Sequence, residues 1–460
     1  MDGPKSLNPL FLHRGLRGTA LVLAAMVAGC LSPQPNFIFA TSESAMVQLA
    51  RRVSERRGLP LTTTLRLEIQ GTGTDGARPQ PTQYYGSVPI AQIESIYKDI
   101  GLVAPEVDFA TGFAEYEKIT QLSAYQLSTG IVSLAREALQ LGNPWENAAP
   151  AAARELPAVI GITQALQEQQ VHWQQKIDAS VFVDHRLSLR ALAIGDALLV
   201  AVPSSTPTDN HKISPQELRM MLQIASQVER MAAGLPEFWR AQATFPYREG
   251  SQFVSWAYAA QGWQGVNALY ENPPVTTAQV LHPEKYFIRW QPPLRFFPAA
   301  LLRRDDNRSI AEQSLGEFSV RTLLGLTASA DTAAETAAQW RGDQLFSFQT
   351  NDGIETFWFS AWENENAAKA FLRAYAQVLE RRWGIHFDDV RQAKDATVIA
   401  NDRDGRAWLL QARGPAVLAL VTRSGDQLAP LAERAWMDLE IEPETSVVRF
   451  ESAQRPVNFR

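Results

Sequence analysis

Leu156-Pro-Ala-Val-Ile160-Gly161-Ile-Thr-Gln164-Ala-Leu-Gln-Glu-Gln169 and, further along, Leu187-Ser-Leu-Arg-Ala-Leu-Ala-Ile194-Gly195-Asp196-Ala197 are two apolar runs broken by polar residues at helical spacing. That period predicts two long helices, over about 148–175 and 179–202. Positions i and i+4 of a helix share one face, so Ile160 and Gln164 stand side by side. That face offers an isoleucine and a neutral amide. Gly161 lies between them. As a mid-helix glycine it costs about 1 kcal/mol relative to alanine, so it is no gain for the helix itself.

Around these helices the pattern is mixed. Residues 43–57 predict an amphipathic helix and Thr62–Ile69 a strand, with a Gly- and Pro-rich loop over 70–82. The loop's glycines do not make a phosphate cradle, since no Gly-Lys-Ser/Thr follows. Helices are expected at 88–100 and 108–119, then a hairpin over Tyr125–Leu134 turning at Ser128-Thr-Gly130. Further helices are expected at 214–234 and 249–261, and residues 271–287 read as a turn, a short helix and a Pro-capped exit. Composition changes after about 300. Two helices are expected in 309–340, and strands at 344–349 and 354–361 flank Asn351-Asp-Gly353, a hairpin turn. A helix at 364–383, strands near 396–401, 406–412 and 416–422, and a helix at 427–438 complete the chain. The fold class is therefore α+β, a mostly helical domain followed by a smaller α+β domain.

The N-terminus carries a separate message. Lys5, Arg14 and Arg17 precede an apolar run over 19–29 that is too short for a membrane-spanning helix, which needs about 20 apolar residues. It ends in Val27-Ala28-Gly29-Cys30, small residues before a thiol, and this resembles a lipobox. The expectation is a lipoprotein signal peptide over 1–29, lipidation of Cys30, and a membrane tether leading into a first helix over 30–60. Leu31 after the cysteine, rather than Asp, favours the outer membrane if the cell has two. Cys30 is the only cysteine, which excludes a disulfide within the chain. The net charge of −6 is carried without any basic run, which argues against a nucleic-acid partner.

The two helices resemble those of gluzincin-type metallopeptidase-like envelope proteins. In that group a His-Glu-x-x-His helix runs into Ala-Leu-Gln-Asp-Gln, and a later helix carries Leu-x-Glu-Gly-Asp-Ala. Gly101-Leu-Val-Ala-Pro-Glu-Val-Asp, Phe245-Pro-Tyr247-Arg-Glu-Gly250, Pro274–Tyr286, Gly316-Glu-Phe and Gln339-Trp-Arg-Gly-Asp343 are similar to other pieces of the group, in the same order. The resemblance implies a gluzincin-like domain over 61–300 and a C-terminal α+β domain over 301–460. It also implies that Ile160 and Gln164 occupy the histidine positions, Gly161 that of the general base and Ile194 that of the third ligand. None of the four can do that chemistry, since catalytic zinc takes three His, Asp, Glu or Cys ligands.

The expectation is thus a catalytically inactive, metallopeptidase-like binding or scaffolding protein of the cell envelope, with no cofactor and with an envelope protein or peptide as partner. Tyr247 and Glu249 are expected to line the old cleft. Two alternatives stand beside this. One is a hydrolase with a displaced site, for which Glu168, His172, Asp184 and His185 are the candidates. The other is a structural component of an envelope assembly. No two of the six histidines are four residues apart, and no Gly-x-Ser-x-Gly elbow places a serine nucleophile.

Overall fold

The structure is a computed structural model, which describes residues 43–69, 88–135, 152–202, 213–303, 308–387 and 397–444. The signal segment, Cys30 and the loop at 70–82 lie outside the described residues. The helical N-terminal part begins with α1 (Glu43–Arg57), β1 (Arg66–Ile69), α2 (Ile90–Asp99) and α3 (Phe109–Thr120). The hairpin β2 (Ser123–Gln126) and β3 (Ile131–Leu134) follows. Then come α4 (Ala152–Val171), α5 (Trp173–Ala179), α6 (Val183–Ala201), α7 (Pro215–Met231), α8 (Glu237–Glu271), α9 (Thr277–Leu281) and α10 (Pro283–Phe287).

The β-rich C-terminal part comprises β4 (Leu294–Pro298), α11 (Ala299–Leu302), β5 (Arg308–Gln313), α12 (Gly316–Leu324) and α13 (Ala330–Ala337). It continues through β6 (Trp340–Gln349), β7 (Ile354–Trp362), α14 (Glu365–Trp383), β8 (Thr397–Asn401), β9 (Ala407–Arg413), β10 (Ala416–Thr422), α15 (Leu428–Trp436) and β11 (Leu439–Pro443). Among the described residues no helix is long and apolar enough to cross a membrane.

Local chemistry sets the ends of these elements. Ser214 and Glu217 form a reciprocal capping box at the start of α7, with Pro215 in its first turn. Asn364 caps α14, and Gly384 ends it in the left-handed conformation at φ 62°. The run expected as one helix over 148–175 is broken at His172, whose φ of 51° starts α5 in a new direction. The helix expected at 249–261 runs from Glu237 to Glu271. Pro246 lies inside it, and non-helical angles at Gln261 and Gly262 mark a kink.

Helices α6 and α8 cross at backbone contact. A Cβ on Gly195 would lie 2.2 Å from the Gly250 carbonyl oxygen, and one on Gly250 2.2 Å from that of Ala191. Asp196 then ties four elements together. It accepts from Arg57 Nε of α1 (2.7 Å), Gln167 Nε2 of α4 (3.1 Å) and Tyr270 Oη of α8 (2.7 Å). Arg57 and Asp196 are both fully buried, and the guanidinium lies over the Trp263 ring.

The C-terminal sheet is antiparallel in the order β5-β6-β7-β10-β9-β8. Alternation along its strands fills two cores, as the period of two requires. Trp358, Trp408, Leu410, Val417 and Ala419 face α14, whereas Phe357, Phe359, Leu409, Leu418 and Leu420 face α15. Strands β4 and β11 pair as a separate ribbon. The sequence reading missed it because its partners lie far apart in the chain. It likewise assigned helix to the segment that forms β5. The first core reaches across the sequence: Trp408 Nε1 donates to the Asp99 carbonyl (2.9 Å) and Tyr375 Oη to that of Ile100 (2.9 Å), docking the end of α2 on the sheet side.

Candidate functional site

A cavity of about 230 Å3 lies between the end of α3, β2, α4, α5 and α6. Gln164 and Ile194, two of the four positions singled out in the sequence, share its lining. Ile160 is 2 % exposed and is absorbed by the surrounding core. The Ser123 hydroxyl of β2 donates to Gln164 Oε1 (2.9 Å), so this amide is bonded to the hairpin.

Gly161 has a packing reason that the helix alone does not supply. A Cβ there would lie 2.5 Å from Val132 Cγ1 and 3.5 Å from Ser123 Cβ. The hairpin rests directly on the helix at this glycine.

Strand β2 is the edge of a three-stranded sheet in the order β1-β3-β2, among the described residues. Ala135 N–H donates to the Leu122 carbonyl (3.0 Å), and bonded pairs alternate in an antiparallel ladder. The main-chain groups of Ser123 and Tyr125 therefore turn away from β3. Both residues line the cavity.

Sequence reasoning passed over Arg186 and Arg190, which also line it. The signal was present: Arg186, Arg190 and Ile194 are spaced i, i+4, i+8 on α6. Arg190 Nη1 donates to Tyr116 Oη (2.9 Å), and Arg186 Nη2 to the Ser180 carbonyl (2.5 Å). Burial pushes the Glu117 carboxyl up to about 7, with Arg190 acting against the rise.

Glu168 also lines this cavity, whereas Tyr247 and Glu249 lie elsewhere. Tyr247 is 5 % exposed within the helical core, and burial pushes its hydroxyl up to about 12. Glu249 lines a second recess between α7, α8, α12 and α13. Neither residue is among those lining the cavity beside β2.

The four candidates for a displaced site are not brought together either. Glu168 accepts from the Gln174 backbone (2.6 Å) and from Gln175 Nε2 (3.1 Å), capping α5. The His172 side chain is exposed, and His185 Nδ1 lies 3.1 Å from Ser180 Oγ. Asp184 is buried where the two parts of the molecule meet. It accepts from the Thr277 backbone (2.9 Å) and hydroxyl (2.5 Å), and burial pushes it up to about 7. Asp343 from β6 stands close by and accepts from the backbone of Leu315 and Gly316 and from Trp358 Nε1 (each 2.9 Å). Gly316, at φ 79°, fits between them, since a Cβ there would overlap Asp184. Among the described residues no group of three or more His, Cys, Asp or Glu side chains is placed to hold a metal ion.

The architecture and the cavity define a helical protein part with a recess beside β2, which is a sheet edge among the described residues, joined to a β-rich domain. A family model for a domain of unknown function (DUF8575) matches residues 303–431, within that β-rich domain. No curated protein and no solved structure matches the chain.

Proposed function

We infer that this protein is a catalytically inactive, metallopeptidase-like binding protein of the cell envelope. It is held on the membrane by lipid on Cys30 and takes an extended peptide in the cavity beside β2. The observation that carries the peptide reading is the pairing of that cavity with a strand that is a sheet edge among the described residues and whose Ser123 and Tyr125 line it. A peptide adding to such an edge gains main-chain hydrogen bonds, and alternate side chains enter the pocket behind it. The face carrying Ile160, Gly161, Gln164 and Ile194 offers neither a metal ligand set nor a base, so the bound peptide would be retained uncut.

The alternative of a displaced hydrolytic site is the less favoured reading, since Glu168 lines the cavity but the other three candidates do not. Glu168 caps a helix, His172 is exposed, and Asp184 is enclosed by Thr277 and Gly316.

The test is a screen of the full chain, in detergent, against a library of extended peptides, with bound zinc and peptide cleavage measured in the same samples. The expected result is saturable peptide binding, zinc far below one per chain and no cleavage. Tyr125→Pro removes the outward donor without touching a bond to β3, and should abolish peptide binding. Stoichiometric zinc with chelator-sensitive cleavage would overturn the inactive reading; binding unchanged in Tyr125→Pro would overturn the strand-addition mode. Labelled fatty acid incorporated into the wild type but not into Cys30→Ser checks the anchor separately.

A further inference from the structure

The recess that contains Glu249 has a volume of about 300 Å3 and lies between α7 and α8 on one side and α12 and α13 on the other. It thus sits where the helical part meets the β-rich domain, the kind of junction at which small ligands bind. Its apolar surface includes Phe245 and Phe318, whose ring centroids are 4.3 Å apart.

Three arginines line it, and their situations differ. Arg248 is paired with Glu229 at 2.6 Å. Arg240, from α8, and Arg321, from α12, are half-buried, and neither guanidinium makes a hydrogen bond or an ion pair within 4 Å among the described residues, Arg321 acting on Glu249 only from farther off. Of the carboxylates, Glu229 is engaged by Arg248, and Glu237 lies 3.6 Å from Arg382. Glu249 is left without an ion-pair partner within the recess. Two guanidiniums from separate helices, beside an aromatic surface, supply both halves of what an organic anion needs.

We propose that this recess binds a small organic oxyanion, its charged group held by Arg240 and Arg321 and its apolar body resting on Phe245 and Phe318. Glu249 tunes the affinity. It is faced by Arg248 from its own helix, Arg321 from α12 and His282 from the turn between α9 and α10, with Glu229 of α7 across the recess. Burial raises its carboxyl above the usual range. Ionised, it repels the ligand; protonated, it donates a hydrogen bond to it. Binding therefore strengthens as the pH falls. Because the anion contacts both α8 and α12, it also braces the two parts of the molecule against each other and raises the melting temperature.

The site is independent of the cavity beside β2, so Tyr125→Pro leaves it intact and its failure would not bear on peptide binding. The test uses the full chain in detergent, with benzoate, phenyl phosphate and inorganic phosphate as probes, against chloride at matched ionic strength. Calorimetry and thermal melts should show saturable binding of benzoate or phenyl phosphate, with a raised melting temperature. The preferred of the two identifies the charged group as carboxylate or phosphate. Arg321→Met and Arg240→Met should each weaken that binding by about tenfold or more. Glu249→Gln should strengthen it and flatten its pH dependence, which general charge screening would not do. No saturable binding of any probe, or equal binding in the Arg240→Met/Arg321→Met chain, would overturn the site. Inorganic phosphate binding as tightly as phenyl phosphate would overturn the apolar half of it.

Discussion

Two polar regions of this molecule face opposite fates. Around Asp184, Asp196 and Asp343, carboxylates are sealed in the interior and nearly every oxygen has an assigned donor. Around Gln164 and Ile194 there is instead a cavity, where those two neutral and apolar side chains stand beside the ionisable side chains of Glu168, Asp178, Arg186 and Arg190. The residues that match the resembled pattern, Gly195, Asp196, Gly316 and Asp343, are those that close contacts or buried hydrogen bonds hold in place. The residues that depart from it surround empty space or fill it. The buried carboxylates that organise the helices are thus not among the residues that line the cavity.

The comparison breaks most readily at Asp196. Asp196→Ala leaves the fully buried Arg57 without its counter-charge and should destabilise the protein by about 3–5 kcal/mol in urea unfolding. A loss below about 1 kcal/mol would mean that the buried carboxylates are ornamental and the contrast empty. Where the hairpin meets α4, Gly161→Ala should lose about 1–2 kcal/mol despite the better helix propensity of alanine, because the new methyl meets Val132. Adding Val132→Ala should return part of that loss; if it does not, the hairpin is not what demands the glycine.

A pH titration sharpens the other side. The Asp184 carboxyl is pushed up to about 7 in the folded protein, above its ordinary 3.8. The folded state therefore holds its proton more tightly, and this contribution to stability is present at low pH and lost as the pH rises to and through about 7. Unfolding free energy should fall by more than about 1 kcal/mol between pH 5 and pH 8, and Asp184→Asn should flatten the slope. The smallest effect is expected at exposed His172. His172→Gly relieves a left-handed backbone and should stabilise by up to about 1 kcal/mol, leaving peptide binding unchanged. A loss of binding there would return a functional role to the histidine.

Much of this was legible in the chain. Helix α1 spans the residues its period predicts, and the Asn351-Asp-Gly353 turn connects β6 and β7 as expected. The i, i+4 spacing of Ile160 and Gln164 on one helix was readable. Which of the two borders a cavity was not, because that depends on how closely the hairpin settles on Gly161. The placing of Glu249 was hidden for a related reason: α12 and α13, which complete its recess, come from the other part of the molecule. The β4–β11 ribbon and the docking of α2 on the sheet side join residues far apart in the sequence, and no local period encodes them.

The Arg57–Asp196 link has a mechanical consequence. If the chain is tethered ahead of α1, any pull exerted by the membrane enters the protein through that helix. Arg57 lies at its far end, fastened to α6 and, through the same carboxylate, to α4 and α8. Tension is then shared among four helices as shear, rather than peeling one of them away turn by turn. The interior ion pair acts as a rivet, and the cavity between α4 and α6 keeps its shape under load.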